Sequence, residues 1–203
     1  MDETDDACYA QLLHSARAGD ASSLGKLLGM YQSYLTLLAR LNVGRRLQGR
    51  VAPSDLVQEA FVEASRHFHH FRGTSEGELV AWLRQIMASR IADAVRRHVQ
   101  ANTRDVRLET RLADELNQSS CDIGQALVAP QSSPSHQAAR RERAVILAEA
   151  LEKLPEDYRE VLVLRNLHEL SFPDVARRMD RSLDSVKNLW TRALAQLRRE
   201  LKP

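Results

Sequence analysis

Lys187, Asn188, Thr191 and Arg192 set an ammonium, a carboxamide, a hydroxyl and a guanidinium close together in the chain. Amides and hydroxyls can read base edges in a major groove, and cations grip the phosphates beside it. At 3.6 residues per turn these side chains, with Ser185 just ahead of them, lie away from the stripe Val186, Trp190, Ala193 and Leu197. From Arg177 to Lys202 there are eight Lys or Arg against three carboxylates, whereas the whole chain carries a net charge of only +2. Basicity concentrated in this way fits a polyanion partner, because each neutralised phosphate releases condensed counterions. Charge alone would equally describe the solvated face of a helical hairpin.

The elements around that helix favour the reader. Ser171 stands as an N-cap before a short amphipathic segment, Phe172 to Met179, and Asp180-Arg181-Ser182 forms a tight turn before the second helix. Cap, turn and apolar period together describe a helix-turn-helix whose second helix enters the groove.

Upstream, the pattern is also helical. Gly19-Asp20 reads as a C-cap followed by an N-cap, separating a helix near Ala7 to Ala18 from one running from Ala21 to about Leu41. Leu24, Leu27, Leu28, Tyr31, Leu35 and Leu38 give the latter a buried stripe. Pro53-Ser54 starts a third helix with Leu56, Ala60, Phe61, Ala64 and Phe68 on its apolar side, and a fourth runs from Glu76 to about Val99. Between Asp114 and Ala139 the period gives way to Asn117-Gln118-Ser119-Ser120 and Pro130-Gln131-Ser132-Ser133-Pro134-Ser135. That stretch has no Lys or Arg but contains Asp114, Glu115 and Asp122, so it is expected to be a flexible acidic linker. The expectation is an all-α protein of two helical domains: a four-helix N-terminal domain made of a first helix in 1–20 and three more over 21–100, then a linker at 101–139 and a helix-turn-helix domain at 140–203.

Composition excludes several functional classes. Aromatic residues are only 5% and charged residues 28% of the 203, so the cores must be built largely from Leu, Val, Ile and Ala. No apolar run is long enough for a membrane span, and the start, Met1-Asp2-Glu3-Thr4-Asp5-Asp6, is acidic where a signal peptide is basic. A cytoplasmic protein is expected. Cys8 and Cys121 lie far apart and outside any paired motif, so free thiols are expected. His67, His69 and His70 are more simply surface histidines beside a loop than a metal site, since no cysteine is near them. No Gly-rich phosphate loop and no catalytic triad pattern is present, so neither enzymatic activity nor a cofactor is expected.

Further segments give the chain a family likeness. Asp55-Leu56-Val57-Gln58-Glu59-Ala60-Phe61, Ala81-Trp82-Leu83-Arg84-Gln85-Ile86, Asp93, Arg96-Arg97 and Leu154-Pro155-Glu156-Asp157-Tyr158-Arg159-Glu160-Val161 precede the helix-turn-helix in that order. Order and spacing together resemble the bacterial RNA polymerase sigma factors of the extracytoplasmic-function group. The Leu-Ser-Phe-Pro-Asp-Val-Ala-Arg-Arg-Met segment with Ser-Val-Lys-Asn-Leu-Trp looks like planctomycete-type members. The resemblance implies that 21–100 binds core polymerase and the minus-ten element, and that 140–203 binds the minus-thirty-five element. The partners it implies are core RNA polymerase, through the clamp helices of the largest subunit and the flap region, and promoter DNA, with an anti-sigma factor as a further candidate.

By the same resemblance, Asp55, Gln58 and Glu59 form the polymerase-docking face. Their acidic and amide character suits a basic partner, although carboxylates near a helix start also stabilise its dipole. Arg72, Arg84, Arg90, Arg96 and Arg97 are the expected downstream-element cations. Phe68 and Trp82 are better placed as core than as base-stacking surfaces. The linker is expected to thread toward the polymerase active site and RNA exit path. Many relatives carry Asn at the position of Ser89, a departure that bears on promoter-strand capture; in the reading helix they carry cations at those of Leu189 and Leu194, so recognition of the upstream element should rest on Lys187, Asn188, Thr191 and Arg192. Two rivals remain open on sequence alone. A stand-alone helix-turn-helix regulator would have no use for the Asp55 to Phe61 face and would typically dimerise on a palindrome. A helical adaptor would bind neither DNA nor polymerase.

Overall fold

Gly19 ends the first helix as its type predicts. It has φ +96°, its N–H donates to the Ala16 carbonyl and the Asp20 N–H to the Ser15 carbonyl, both at 3.1 Å. This double bond pattern closes a helix around a left-handed residue, which glycine adopts without a Cβ penalty. Asp20 then caps the next helix, accepting from the Ser22 and Ser23 N–H groups at 3.0 and 3.2 Å. Hydrogen bonds from Ser23 and Ser22 hold its carboxyl below the usual range.

The computed structural model describes residues 3–43, 51–99, 106–125 and 137–201. They fall into two units, Met1–Asn117 and Gln118–Pro203. The first contains α1 (Glu3–Arg17), α2 (Ala21–Gly29), α3 (Gln32–Val43), α4 (Pro53–His67), a 3₁₀ turn (Phe68–His70) and α5 (Glu76–Val99). Helix α6 (Val106–Gln125) crosses the unit boundary, and the second unit continues with α7 (Gln137–Glu152), α8 (Glu156–Leu162), α9 (Phe172–Arg178) and α10 (Leu183–Glu200). No strand occurs among the described residues.

The single helix expected over 21–41 is in fact two. Tyr31 N–H bonds the Leu28 carbonyl at 3.1 Å in a tight turn that separates α2 from α3. Gly29 at the break costs helical propensity of about 1 kcal/mol relative to alanine, and packing then decides. Helix α2 packs on α1, whereas α3 packs on α4 and α5, so the two apolar stripes must face different neighbours. Leu35, Leu38, Leu56, Ala60, Ala64, Leu79, Met87 and Ile91 are all fully buried. The periodicity of α4 and α5 thus finds its core, although Phe61 and Ile86 remain partly accessible.

The expected flexible linker also needs correction. Residues 106–125 form a helix, and Asn117 to Ser120 continue it rather than starting irregular chain. Leu112 and Leu116 are fully buried and Ala113 is 9% exposed, so a short stripe at helical spacing gives this polar segment a face to bury. Residues 101–105 and 126–136, including Pro130 to Ser135, lie outside the described residues.

Tyr9 on α1 carries a pH consequence. It is buried, and burial, followed by the Glu76 carboxylate, pushes its hydroxyl up to about 12 from 10.0. The folded chain therefore favours the protonated phenol. That contribution to stability is complete below pH 10 and is lost as pH rises from about 10 to about 12. Thermal unfolding of wild type and Tyr9→Phe over this window should show a steeper alkaline decline for wild type. Parallel curves would remove Tyr9 as the cause.

Among the described residues, no helix is long and apolar enough to cross a membrane.

Candidate nucleic-acid interface

In the second unit the helix-turn-helix is assembled from local signals. Ser171 caps α9 by accepting from the Asp174 N–H at 3.3 Å, and Ser182 caps α10 by accepting from the Ser185 N–H at 3.3 Å. Between them Asp180 takes a left-handed conformation, φ 50°. The Arg181 N–H reaches the Ala176 carbonyl at 3.0 Å and the Asp180 N–H the Arg177 carbonyl at 3.4 Å. This is the closing pattern that Gly19 makes in α1, here on an aspartate that tolerates the conformation. Arg181 also pairs with Asp157 of α8, tying the turn to the unit.

Val186, Ala193 and Leu197 are buried along α10, as the wheel requires. Trp190 is half-buried, and its Nε1–H donates to Asn166 Oδ1 at 3.0 Å. Its ring meets Phe172 edge-on at 5.5 Å. Asn166 lies in a five-residue π turn, Val163–Leu167, which widens the end of α8. Ser185, Lys187, Asn188, Thr191 and Arg192 are all exposed on the opposite side. The Thr191 hydroxyl donates to the Lys187 carbonyl at 3.0 Å, which leaves its oxygen able to act as an acceptor. Leu189 and Leu194 are intermediate in exposure, and Leu194 lines an apolar groove with Leu147, Leu151 and Leu167.

In the first unit the expected cations separate into three kinds. Arg72 is exposed in the loop before α5. Arg90 and Arg96 sit one turn either side of Asp93 and share its carboxylate, Arg90 at 2.9 Å, while Arg97 reaches Glu59 of α4 at 3.1 Å. Arg84 is different: it is 4% exposed and donates to the Tyr34 hydroxyl at 3.1 Å. The expectation that Arg84 meets DNA is corrected on that ground, since a guanidinium buried between α3 and α5 cannot reach a phosphate. Helical spacing within α5 alone could not show that α3 would close over it.

Asp55 and Gln58 are exposed on α4, and Glu59 is half-buried. These three, with Val62, Glu63 and Arg66, form the mainly acidic α4 wall of an open groove of about 830 Å³ whose other wall carries Arg90, Asp93, Arg96 and Arg97. The surface read as protein-docking therefore adjoins the surface read as DNA-binding. Glu59 and Arg97 join them.

The loop from Phe71 to Ser75 is held by side chains. Glu78 accepts the Thr74 and Ser75 N–H groups at 2.8 and 3.0 Å and the Ser75 hydroxyl at 2.9 Å. The Ser75 hydroxyl in turn accepts the Glu78 N–H at 3.3 Å, which makes a reciprocal capping box. The Ser75 hydrogen bonds, chiefly from its backbone, hold the Glu78 carboxyl below the usual range. Beneath the loop, Phe71 packs on Phe68 and Trp82 with centroids 5.8 and 5.1 Å apart. Phe68 and Phe71 are buried, in keeping with a packing role for Phe68, whereas Trp82 packs on both rings but stays partly accessible. His67 pairs with Glu63 at 3.2 Å. Among the described residues no three His, Cys, Asp or Glu side chains are grouped to hold a metal ion.

Comparison with known proteins meets this geometry at both units. The family model described as Sigma-70 region 2 matches residues 30–100, and the one described as Sigma-70, region 4 matches residues 144–197. The chain belongs to the sigma-70 family. Its curated relatives place it in the extracytoplasmic-function group. The ECF RNA polymerase sigma-E factor of Haemophilus influenzae is 27% identical over 192 residues, covering 95% of this chain and 94% of the relative. The corresponding sigma-E factor of Escherichia coli is 28% identical over 192 residues, covering 95% and 93%. The sigma factor SigM of Bacillus subtilis is 28% identical over 169 residues, covering 83% and 91%.

As a sigma factor the protein directs promoter-specific initiation of transcription by core RNA polymerase. The region 2 match takes in α3, α4, the Phe71–Ser75 loop and α5, and the region 4 match takes in the helix-turn-helix. Helix α1, including Arg17, lies outside both. Arg17 is also outside every signal in the sequence, because it lies far along the chain from the loop it reaches and belongs to no apolar period.

Proposed function

We propose that α4 docks this sigma factor on the polymerase clamp through Asp55, Gln58 and Glu59. In this reading α5 and the preceding loop engage the minus-ten element through Arg72, Arg90, Arg96 and Arg97, and α10 reads the minus-thirty-five element through Ser185, Lys187, Asn188, Thr191 and Arg192. The observation that carries it is the groove between α4 and α5, where a carboxylate wall fits a basic protein surface and an arginine wall fits a phosphate backbone. Domain 21–100 would serve polymerase and the downstream element, and 140–203 the upstream element. The protein works by binding rather than catalysis, in the cytoplasm, with an anti-sigma factor as a candidate regulator. Within its group, the Leu170 to Met179 segment supports the planctomycete-type placement.

Reconstitution with purified core polymerase tests this. Promoter-specific transcripts that fall away when Asp55 and Gln58 are replaced by lysine support the reading, and duplex binding without transcripts supports a stand-alone regulator instead. Lys187→Ala tests the upstream assignment separately. Removing one phosphate-seeking cation should weaken binding to the upstream element by about three- to tenfold and reduce the log–log salt slope by about 1. Unchanged affinity at matched salt would count against Lys187 as a contact.

A further inference from the structure

Arg17 closes the last turn of α1 and lies 56 residues before Gly73, yet its guanidinium donates to the Gly73 carbonyl. Its Cζ also stands 5.9 Å from the centre of the Phe71 ring, within the range of a cation–π contact. One side chain from α1 therefore holds both the backbone and the aromatic anchor of the Phe71–Ser75 loop. The loop's other restraints act elsewhere. Glu78 fixes its Thr74–Ser75 end, and Phe68 and Trp82 lie beneath the Phe71 ring. Arg17 and Arg72 line one cleft of about 560 Å³ with Asp20, Ser65 and His69, so the clamp stands beside the loop's exposed cation.

We propose that Arg17 is a positioning residue for promoter opening: bonded to Gly73 and placed over the Phe71 ring, it holds the loop so that Arg72 meets the downstream strand. Helix α1 then contributes to the DNA site although the region 2 match begins beyond it. The proposal rests on the reading of Arg72 as a downstream contact, and the experiment separates the two.

The full chain is assembled with core polymerase on a promoter carrying a fluorescent base analogue in the melted region. Opening rate, core affinity, thermal midpoint and salt slope are measured for Arg17→Ala, Arg17→Lys, Arg72→Ala and the Arg17→Ala/Arg72→Ala double variant. Arg17→Ala should slow opening by about fivefold, the scale of one partly exposed charge-assisted hydrogen bond, with core affinity and salt slope unchanged. Arg17→Lys keeps charge and a donor but loses the planar stack, and should recover only part of the rate. The double variant should open no more slowly than Arg72→Ala, because positioning has no effect once the positioned group is gone.

Wild-type opening by Arg17→Ala beside slow opening by Arg72→Ala would overturn the clamp and leave the loop assignment standing. Full recovery by Arg17→Lys with a smaller salt slope in Arg17→Ala would make Arg17 a phosphate contact and also overturn it. A thermal midpoint and core affinity that fall together with opening would reduce Arg17 to a stabilising residue. Normal opening by Arg72→Ala would refute the loop reading itself, and the proposal with it.

Discussion

Trp190→Ala is expected to destabilise the helix-turn-helix unit by about 3 kcal/mol, at the lower end of the range for removing a large aromatic because the ring is only half-buried. The substitution takes away the edge-on contact with Phe172 and the donor to Asn166 Oδ1. With both gone, α10 keeps Val186, Ala193 and Leu197 as anchors but loses its hydrogen bond to the π turn. Binding to the upstream element should fall with stability, because the exposed face is presented only while α10 is seated. Trp190→Phe separates the two contributions. It retains a ring against Phe172 and should cost about 1 kcal/mol for the lost hydrogen bond. Denaturant unfolding of the full chain, followed by a probe in the second unit, measures both. A wild-type midpoint for Trp190→Ala would show that the ring is not a structural anchor.

Gly73→Ala is the second large effect, and its cause is steric. A Cβ on Gly73 would lie 2.5 Å from Phe71 Cζ and 2.7 Å from both Phe71 Cε2 and Glu78 Cβ. The Phe71 ring cannot simply turn away, since Phe68 and Trp82 pack on it, and Glu78 Cβ is fixed by the helix start it caps. Overpacking of this kind costs about 2 kcal/mol, here expressed as displacement of the loop. Promoter opening should slow by more than about tenfold, as that energy converts to rate, while core affinity, which the proposed docking face assigns to α4, should be unchanged. Opening at the wild-type rate would mean that the loop's conformation does not matter to the reaction.

These two positions also show where sequence reading succeeds and where it stops. Trp190 was placed on the inner side of α10 from spacing alone, because a helix of fixed pitch aligns residues 186, 190, 193 and 197 whatever packs against them. Its partner Asn166 was not foreseen, since the π turn that presents it depends on how α8 ends against α9 and α10. Gly73 carried no signal, because its requirement comes from a ring two residues away and a side chain on the next helix. Arg84 meets the same limit. An arginine on a helix is usually accessible, and only the closure of α3 over α5, with Tyr34 as acceptor, buries it.

The expected linker failed through a different balance. Asn, Gln and Ser argue against a stable helix when counted singly, but Leu112, Ala113 and Leu116 fall on one side and are buried together. Tertiary burial outweighs weak propensity in so short a stretch. The break between α2 and α3 follows the same logic. Continuous apolar periodicity does not reveal that its two halves serve different neighbours.

The sequence by itself determined the caps, the turns and the apolar stripes: Gly19-Asp20, Ser75 with Glu78, Ser171, Asp180 and Ser182 all act through atoms within a few residues, and local sterics and hydrogen bonding settle them. It also determined the exposed chemistry of α10 and the acidic face of α4, because helical pitch fixes which side chains share a side. Only the tertiary structure decided that Arg84 is buried, that Arg97 of α5 pairs with Glu59 of α4, and that Arg17 reaches the Phe71–Ser75 loop. Those contacts join residues tens of positions apart, and their geometry exists only once the helices have packed.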